Sequence, residues 1–157
     1  MKLKELDNDF RSLVNQYIKD EWCGPIIVTR GHAYDSSNLP GFVAVDGDKL
    51  IGAVLYQIEN GECEIAVLFS LVESKGAGTA LINAVTDKAK EENCRRVWLV
   101  TTNDNTHAIR FYQKMGFNIA GIHLNAMQKV RAIKPQVPLY GIDDIPLLHE
   151  IEFEKIL

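Results

Sequence analysis

The chain predicts a mixed α/β fold of the α+β kind: a mainly antiparallel, twisted sheet with helices on both faces and one parallel strand pair at its centre. Three observations carry that expectation. Residues 42–71 alternate short apolar, β-branched runs with Asp46-Gly47-Asp48 and Asn60-Gly61, the chemistry of two hairpin turns. The period then changes, and Leu81, Ile82, Val85 and Ala89 fall on one side of a helix. The near-continuous apolar run 96–102 follows. Strand, helix, strand in that order implies a parallel pair joined by a right-handed crossover.

Taken in order, residues 4–22 suggest a first helix. Asp7 or Asn8 is suited to cap it, and Phe10, Leu13, Val14, Tyr17 and Ile18 fall at helical spacing. Gly24-Pro25 stops it, and Ile26-Ile27-Val28-Thr29 is β-branched enough for a short strand. Residues 30–38 are polar and turn-rich, hence a loop long enough to line a site. The meander of three strands comes next, its third strand running from Glu62 to Leu71. The amphipathic helix spans residues 78–92, with Asn93 suited to its C-terminal end. After the apolar strand, Asn103-Asp104-Asn105-Thr106 offers N-cap chemistry to a helix that Gly116 ends. Residues 118–124 suggest another strand and 125–134 a helix that stops before Pro135. Residues 147–157, with Ile151 and Phe153 alternating between glutamates, suggest a last strand.

At 157 residues, 46% hydrophobic and 24% charged, the chain fits a single domain spanning 1–157, with a core that needs no staples. A formal charge of -4 argues against a nucleic-acid surface, which needs a basic excess. Lys129, Arg131 and Lys134 are better taken as the solvated face of a helix. Three cysteines, Cys23, Cys63 and Cys94, cannot all pair within one chain, and no C-x-x-C occurs. With no apolar segment at the start or of membrane-spanning length, a cytoplasmic protein without a membrane partner is expected. No metal is expected, because the histidines lack partners at ligand spacing.

The chemistry concentrates between Glu62 and Phe117. Glu73-Ser74-Lys75-Gly76-Ala77-Gly78-Thr79 joins a strand to a helix start. Its glycines let consecutive N–H groups point outward, and a helix N-terminus adds unpaired donors and partial positive charge, so the turn suits a phosphate or pyrophosphate. The phosphate-loop string G-x-x-x-x-G-K-[ST] is absent, and the dinucleotide fingerprint lacks its third glycine because Leu81 follows Ala80. Downstream lies Asn105-x-x-Ala108-x-x-Phe111-Tyr112-x-x-x-Gly116-Phe117.

Lys75-Gly76-Ala77-Gly78, followed by Ala80-Leu81-Ile82 and this second motif behind a three-strand meander, resembles the GNAT superfamily of acetyl-CoA-dependent N-acyltransferases. The resemblance covers residues 40–124. It implies that the central parallel pair is splayed and that acetyl-CoA (coenzyme A) is the co-substrate. It implies a pyrophosphate site on the backbone of Glu73, Ser74, Lys75, Gly76, Ala77, Gly78 and Thr79. Glu73 stands where the family's Q/R-x-x-G-x-G/A motif has Gln or Arg. Main-chain groups of Leu68, Phe69 and Ser70 are implied to bind the pantetheine arm, and Asn105 to contact the cofactor as well as cap its helix. Tyr112 matches the tyrosine that protonates the departing thiolate; a phenol of pKa about 10 can serve a thiol of pKa about 8.5.

Transfer to an alkyl amine, mostly protonated at neutral pH, is helped by a base. Direct attack needs no covalent enzyme intermediate, so Cys63 and Cys94 are read as core residues. Glu62 and Glu64 share one face of the strand leading to the thioester, and Glu64, nearer the splay, is the expected catalytic base. Arg30, His32 and Tyr34, in the polar loop, are candidates for the acceptor pocket. An N-acetyltransferase acting on a small-molecule or peptide amine is therefore expected, with a non-catalytic acyl-CoA-binding module as the alternative. The last strand offers an edge for a homodimer, an assembly common in this family.

Overall fold

The structure, a computed structural model, describes residues 1–72 and 76–157. Among these residues, seven strands form one sheet in the order β1-β4-β5-β6-β7-β9-β8, and β2 and β3 form a separate hairpin. The strands are β1 (Lys2–Glu5), β2 (Ile26–Thr29), β3 (His32–Asp35), β4 (Gly41–Asp46), β5 (Lys49–Glu59), β6 (Glu62–Ser70), β7 (Arg96–Thr102), β8 (Asn118–His123) and β9 (Glu150–Ile156). The helices are α1 (Asn8–Glu21), α2 (Ala77–Glu91), α3 (Thr106–Lys114) and α4 (Ala126–Ile133). Every sheet pairing is antiparallel except β6 with β7, so the expected mixed sheet with a parallel pair is present.

Two cores flank the sheet. On one face α2 and α3 pack Leu81, Ile82, Val85 and Tyr112 against Val54, Ile65, Val97 and Phe153. On the other α1 packs Phe10, Val14 and Ile18 against Val43, Leu55, Val67 and Phe69. A bulge shifts β6 in phase: Leu55 pairs with Val67 but Tyr56 with Ile65, leaving Ala66 as the extra residue. That is why Ile65 belongs to the first core and Val67 to the second.

Four expectations are corrected here. The last strand offers no edge to a second subunit, because β9 is paired on both sides, with β7 and with β8. The first helix does not begin at residue 4. Lys2–Glu5 alternates and pairs with Phe42–Val45, and the helix starts after Asp7, whose carboxylate accepts from the Asp9 N–H. The polar segment 30–38 is not all loop. Arg30 and Gly31, at φ 50° and 79°, make a two-residue turn that folds His32–Asp35 back onto β2. The last strand begins at Glu150 rather than residue 147. Pro146 bridges to Tyr140, and Leu148 and His149 are held through their N–H groups by the Asn103 side chain, so these residues have no strand partner.

The helix ends follow the sequence. Asn93 and Gly116 lie at φ 59° and 92°, and the following N–H groups, Cys94 and Phe117, reach back to Ala89 and Tyr112 carbonyls. Among the described residues no helix is long and apolar enough to cross a membrane.

Candidate active site

The site begins where β6 and β7 part. Their register runs Glu62↔Arg96, Cys63↔Val97 and Glu64↔Trp98, and no pairing follows. β6 nevertheless stays bonded to β5 as far as Ser70. From Ile65 to Ser70 the edge of β6 that faces β7 is therefore open, with main-chain donors and acceptors at hydrogen-bonding spacing. A cleft of about 1060 Å³ passes through the splay, and Leu68, Phe69 and Ser70 line it.

One lobe lies on the α2/α3 side. Gly76, at φ 74°, is the N-cap of α2 and has no side chain, so among the described residues the first-turn N–H groups that line the lobe have no side-chain cap. Gly78 sits close to α3: a Cβ there would meet Phe111 Cζ at 3.4 Å. Gly76, Ala77, Gly78 and Thr79 all line the cleft. Glu73, Ser74 and Lys75, expected in the same role, lie outside the described residues. Asn105 caps α3, accepting from the Ala108 N–H at 3.1 Å, and also lines the lobe. Tyr112 is held edge-on between Phe111 and Phe117 and tilted against Phe153. Its ring is buried, and burial pushes the phenol well above its ordinary pKa, so it remains protonated. Among the described residues its hydroxyl has no hydrogen-bond partner, and the residue lines the cleft.

The family model for "Acetyltransferase (GNAT) family" matches residues 4–117. The chain belongs to that family. This acetyltransferase is 37% identical over 148 residues to the uncharacterized protein YdhI of Bacillus subtilis strain 168, covering 94% of this chain and 92% of that one. It is 34% identical to YxbD of the same strain, covering 94% and 93%. In fold it is similar to a GNAT family acetyltransferase from Elizabethkingia anophelis whose crystal structure holds acetyl-CoA, with TM-score 0.71, 17% identity and coverage of 99% and 97%. The co-substrate that goes with the family is acetyl-CoA. The open edge of β6 and the Gly76-started first turn of α2 fit its two demands, amide partners for an extended arm and donors for a pyrophosphate.

The other lobe of the acetyltransferase lies beneath the β2–β3 hairpin, α4 and the end of α1. The adjoining face of the sheet is acidic, with Glu62 and Glu64 on β6 and Glu150, Glu152 and Glu154 on β9. Arg96 answers three of them, reaching Glu62 at 2.6 Å, Glu152 at 2.9 Å and Glu154 at 3.0 Å. Burial works against its charge, but its bonds to Glu152, Glu62 and Glu154 win and push the guanidinium up. Arg30 stacks on Trp98, 3.9 Å from the ring centre, and approaches Glu152 at 3.5 Å.

Glu64, the expected base, is buried with both oxygens engaged. Oε2 accepts from Thr29 Oγ1 at 2.9 Å and Tyr34 OH at 2.8 Å, and Oε1 accepts from Gln57 Nε2 at 2.9 Å. Thr29 lines the cleft, so Glu64 stands one hydrogen bond behind its wall. Burial, with the Glu64 charge, holds the Tyr34 phenol far above its ordinary value. Tyr34 and Arg30 support the carboxylates from outside the cleft lining, and His32 is exposed at the start of β3. Cys63 is a core residue whose thiol burial pushes up to about 12, which leaves no thiolate at neutral pH. No group of metal-ligating side chains occurs among the described residues.

Glu150 is the residue the sequence argument missed. It is 4% exposed and lines the cleft, and its Oε1 accepts the Arg30 N–H at 3.2 Å. Burial raises its pKa, against the pull of the Arg30 N–H and of His123. The signal lay in the alternation Glu150, Glu152, Glu154 opposite Ile151 and Phe153. Three carboxylates on one face of a strand that must also be half-buried need a reason.

Proposed function

We propose that this acetyltransferase moves the acetyl group of acetyl-CoA to a primary amine bound beneath the β2–β3 hairpin, and that it does so at the mouth of the β6–β7 splay. The observation that carries the proposal is the run of the cleft through the sheet. It joins the open β6 edge and the start of α2 on one side to the acidic face on the other.

Acetyl-CoA supplies an activated acyl carbon and a thiolate leaving group. The main chain of Leu68, Phe69 and Ser70 binds the pantetheine amides, and the first turn of α2 from Gly76 to Thr79 holds the pyrophosphate, with Glu73, Ser74 and Lys75 preceding it. Asn105 fixes the start of α3 and contacts the arm. Tyr112 donates its hydroxyl proton to the sulfur as the carbon–sulfur bond breaks and the nitrogen–carbon bond forms. The amine's surplus proton leaves toward the end of β2, where Glu64, through Thr29, and Glu150 offer carboxylates. Tyr34 and Arg30 orient them, and His32 closes the hairpin turn. Main-chain N–H groups at the splay stabilise negative charge on the acyl oxygen.

We place the enzyme in the cytoplasm as one domain spanning residues 1–157, with three thiols unpaired. β8 and β9, beyond the family match, complete the sheet and supply Glu150. Incubation with acetyl-CoA and a panel of primary amines, followed by thiol release and by mass spectrometry of the amine, tests the proposal. Acetylated amine appearing in step with free CoA is expected. Tight acetyl-CoA binding with no thiol release from any amine would overturn catalysis and leave a binding module.

A further inference from the structure

The acceptor lobe has a chemistry of its own, and its polar groups are spaced along β2. At the Thr29–Arg30 end of this strand are Glu150 and, behind Thr29, Glu64, the last residue of β6 paired with β7. This end therefore overlies the crotch of the splay. At the other end Lys134 donates to the Ile26 carbonyl at 2.8 Å and to the Trp22 carbonyl. Three residues, Ile27, Val28 and Thr29, separate Ile26 from Arg30, four steps of roughly 13 Å in all at about 3.3 Å per step. Between the two ends the wall is apolar, made by Trp22, Ile27, Val28, Met127, Val130 and Leu147, and among the described residues the one carboxylate lining the cleft near the Lys134 end, Glu21, is exposed at the rim.

Lys134 is not on a solvated helix face as expected: it ends α4, is 7% exposed and lines the cleft. Among the described residues its hydrogen bonds go to two backbone carbonyl dipoles and to no carboxylate. A ligand that brought a second cation down the lobe would meet apolar walls and then an ammonium. A ligand with one ammonium near Glu150 and a hydrocarbon body would meet a carboxylate, then matching apolar surface.

We infer that the acceptor is a singly charged primary amine on an apolar or aromatic body, its nitrogen seated against Glu150 and its body lying along β2 toward Lys134. The inference rests on the proposed N-acetyl transfer and narrows its substrate class. Glu150 keeps one oxygen on the Arg30 N–H and presents the other to the amine, taking the proton that bond formation releases. Glu64, saturated by Thr29, Tyr34 and Gln57, holds Thr29 in place. Burial acts most on the Glu150 titration, and Arg30, His123 and the Glu64 carboxylate, which face it, act with it.

The experiment compares kcat/KM for thiol release from acetyl-CoA with 2-phenylethylamine and hexylamine against spermidine and kanamycin. The apolar monoamines should exceed the polycations by at least about 10-fold, since an unanswered charge in the lobe is worth more than about 1.4 kcal/mol. Glu150→Gln should lower kcat/KM for the monoamines about 100-fold and remove the acid limb of the pH profile, with acetyl-CoA affinity unchanged by calorimetry. Lys134→Gln should narrow the gap by improving spermidine. Should it fail to fold, the wild-type comparison still decides. Spermidine or kanamycin matching the monoamines, or Glu150→Gln turning over normally, would overturn the inference while leaving acetyl transfer intact. Thiol release with neither class of amine, by contrast, would remove the proposed reaction and the inference with it.

Discussion

At the residue scale, the division between Glu64 and Glu150 is the main result. Both are buried carboxylates at the splay, yet one is saturated and the other is not. Glu64→Leu removes the acceptor for three donors, Thr29, Tyr34 and Gln57, of which the Thr29 bond is fully buried and the other two partly so. Leaving buried donors unmet costs about 1–3 kcal/mol each, so the unfolding free energy of Glu64→Leu in chemical denaturation should fall by roughly 2–4 kcal/mol. Glu64→Gln, which retains acceptor capacity on one oxygen, should fall by less. Equal losses would mean the network does not hold the hairpin. Asn105 has a cap to lose as well as a contact: Asn105→Ala should lose about 1 kcal/mol of stability in chemical denaturation and weaken acetyl-CoA binding, whereas Asn105→Asp should keep the cap.

At the scale of elements, β6 decides the geometry. Its open edge from Ile65 onward exists because β5 holds the opposite edge in register, and Gly52 allows that pairing to reach Ser70. A Cβ on Gly52 would lie 2.6 Å from the Phe69 carbonyl oxygen. Gly52→Ala should therefore displace the end of β6, lower stability by about 2 kcal/mol and weaken acetyl-CoA binding in a calorimetric titration. Unaltered affinity would place the arm elsewhere. The parallel pair and the α2 and α3 boundaries were legible in the sequence, because apolar spacing and the caps at Asn93, Asn105 and Gly116 are local signals. The hairpin was not. His32-Ala33-Tyr34-Asp35 has no β-branched residue, and what makes it a strand is the Arg30-Gly31 turn together with the bond from Tyr34 to Glu64. For the same reason Glu150 was missed: its importance depends on Arg30 and on the cleft, both distant in sequence. The short strand β1 was absorbed into the first helix because its partner, β4, lies some 40 residues away.

For the whole molecule, the acidic face ties stability to pH in two opposite ways. Glu152 is opposed by burial but held below its ordinary value by Arg96, His123 and Arg30. A carboxyl depressed by folding contributes stability above its unfolded pKa and loses it as pH falls through the folded one. The melting temperature should therefore drop as pH goes below the ordinary glutamate range, and Glu152→Gln should flatten that drop. Glu150 is raised by folding, so its ionised form disfavours the folded state as pH rises above the ordinary glutamate range. Glu150→Gln should accordingly leave the melting temperature at pH 7 unchanged or higher while activity falls. A carboxylate placed where it destabilises the fold at working pH suits the proposed role of proton acceptor.

The central claim is that the acyl group is transferred at the splay with Tyr112 supplying the proton to the leaving sulfur. A single-turnover measurement of CoA release by Tyr112→Phe, paired with calorimetry of acetyl-CoA binding to the same variant, tests it most directly. The rate should fall about 100-fold or more, with affinity within about 2-fold of the parent. Release at the parent rate would contradict it.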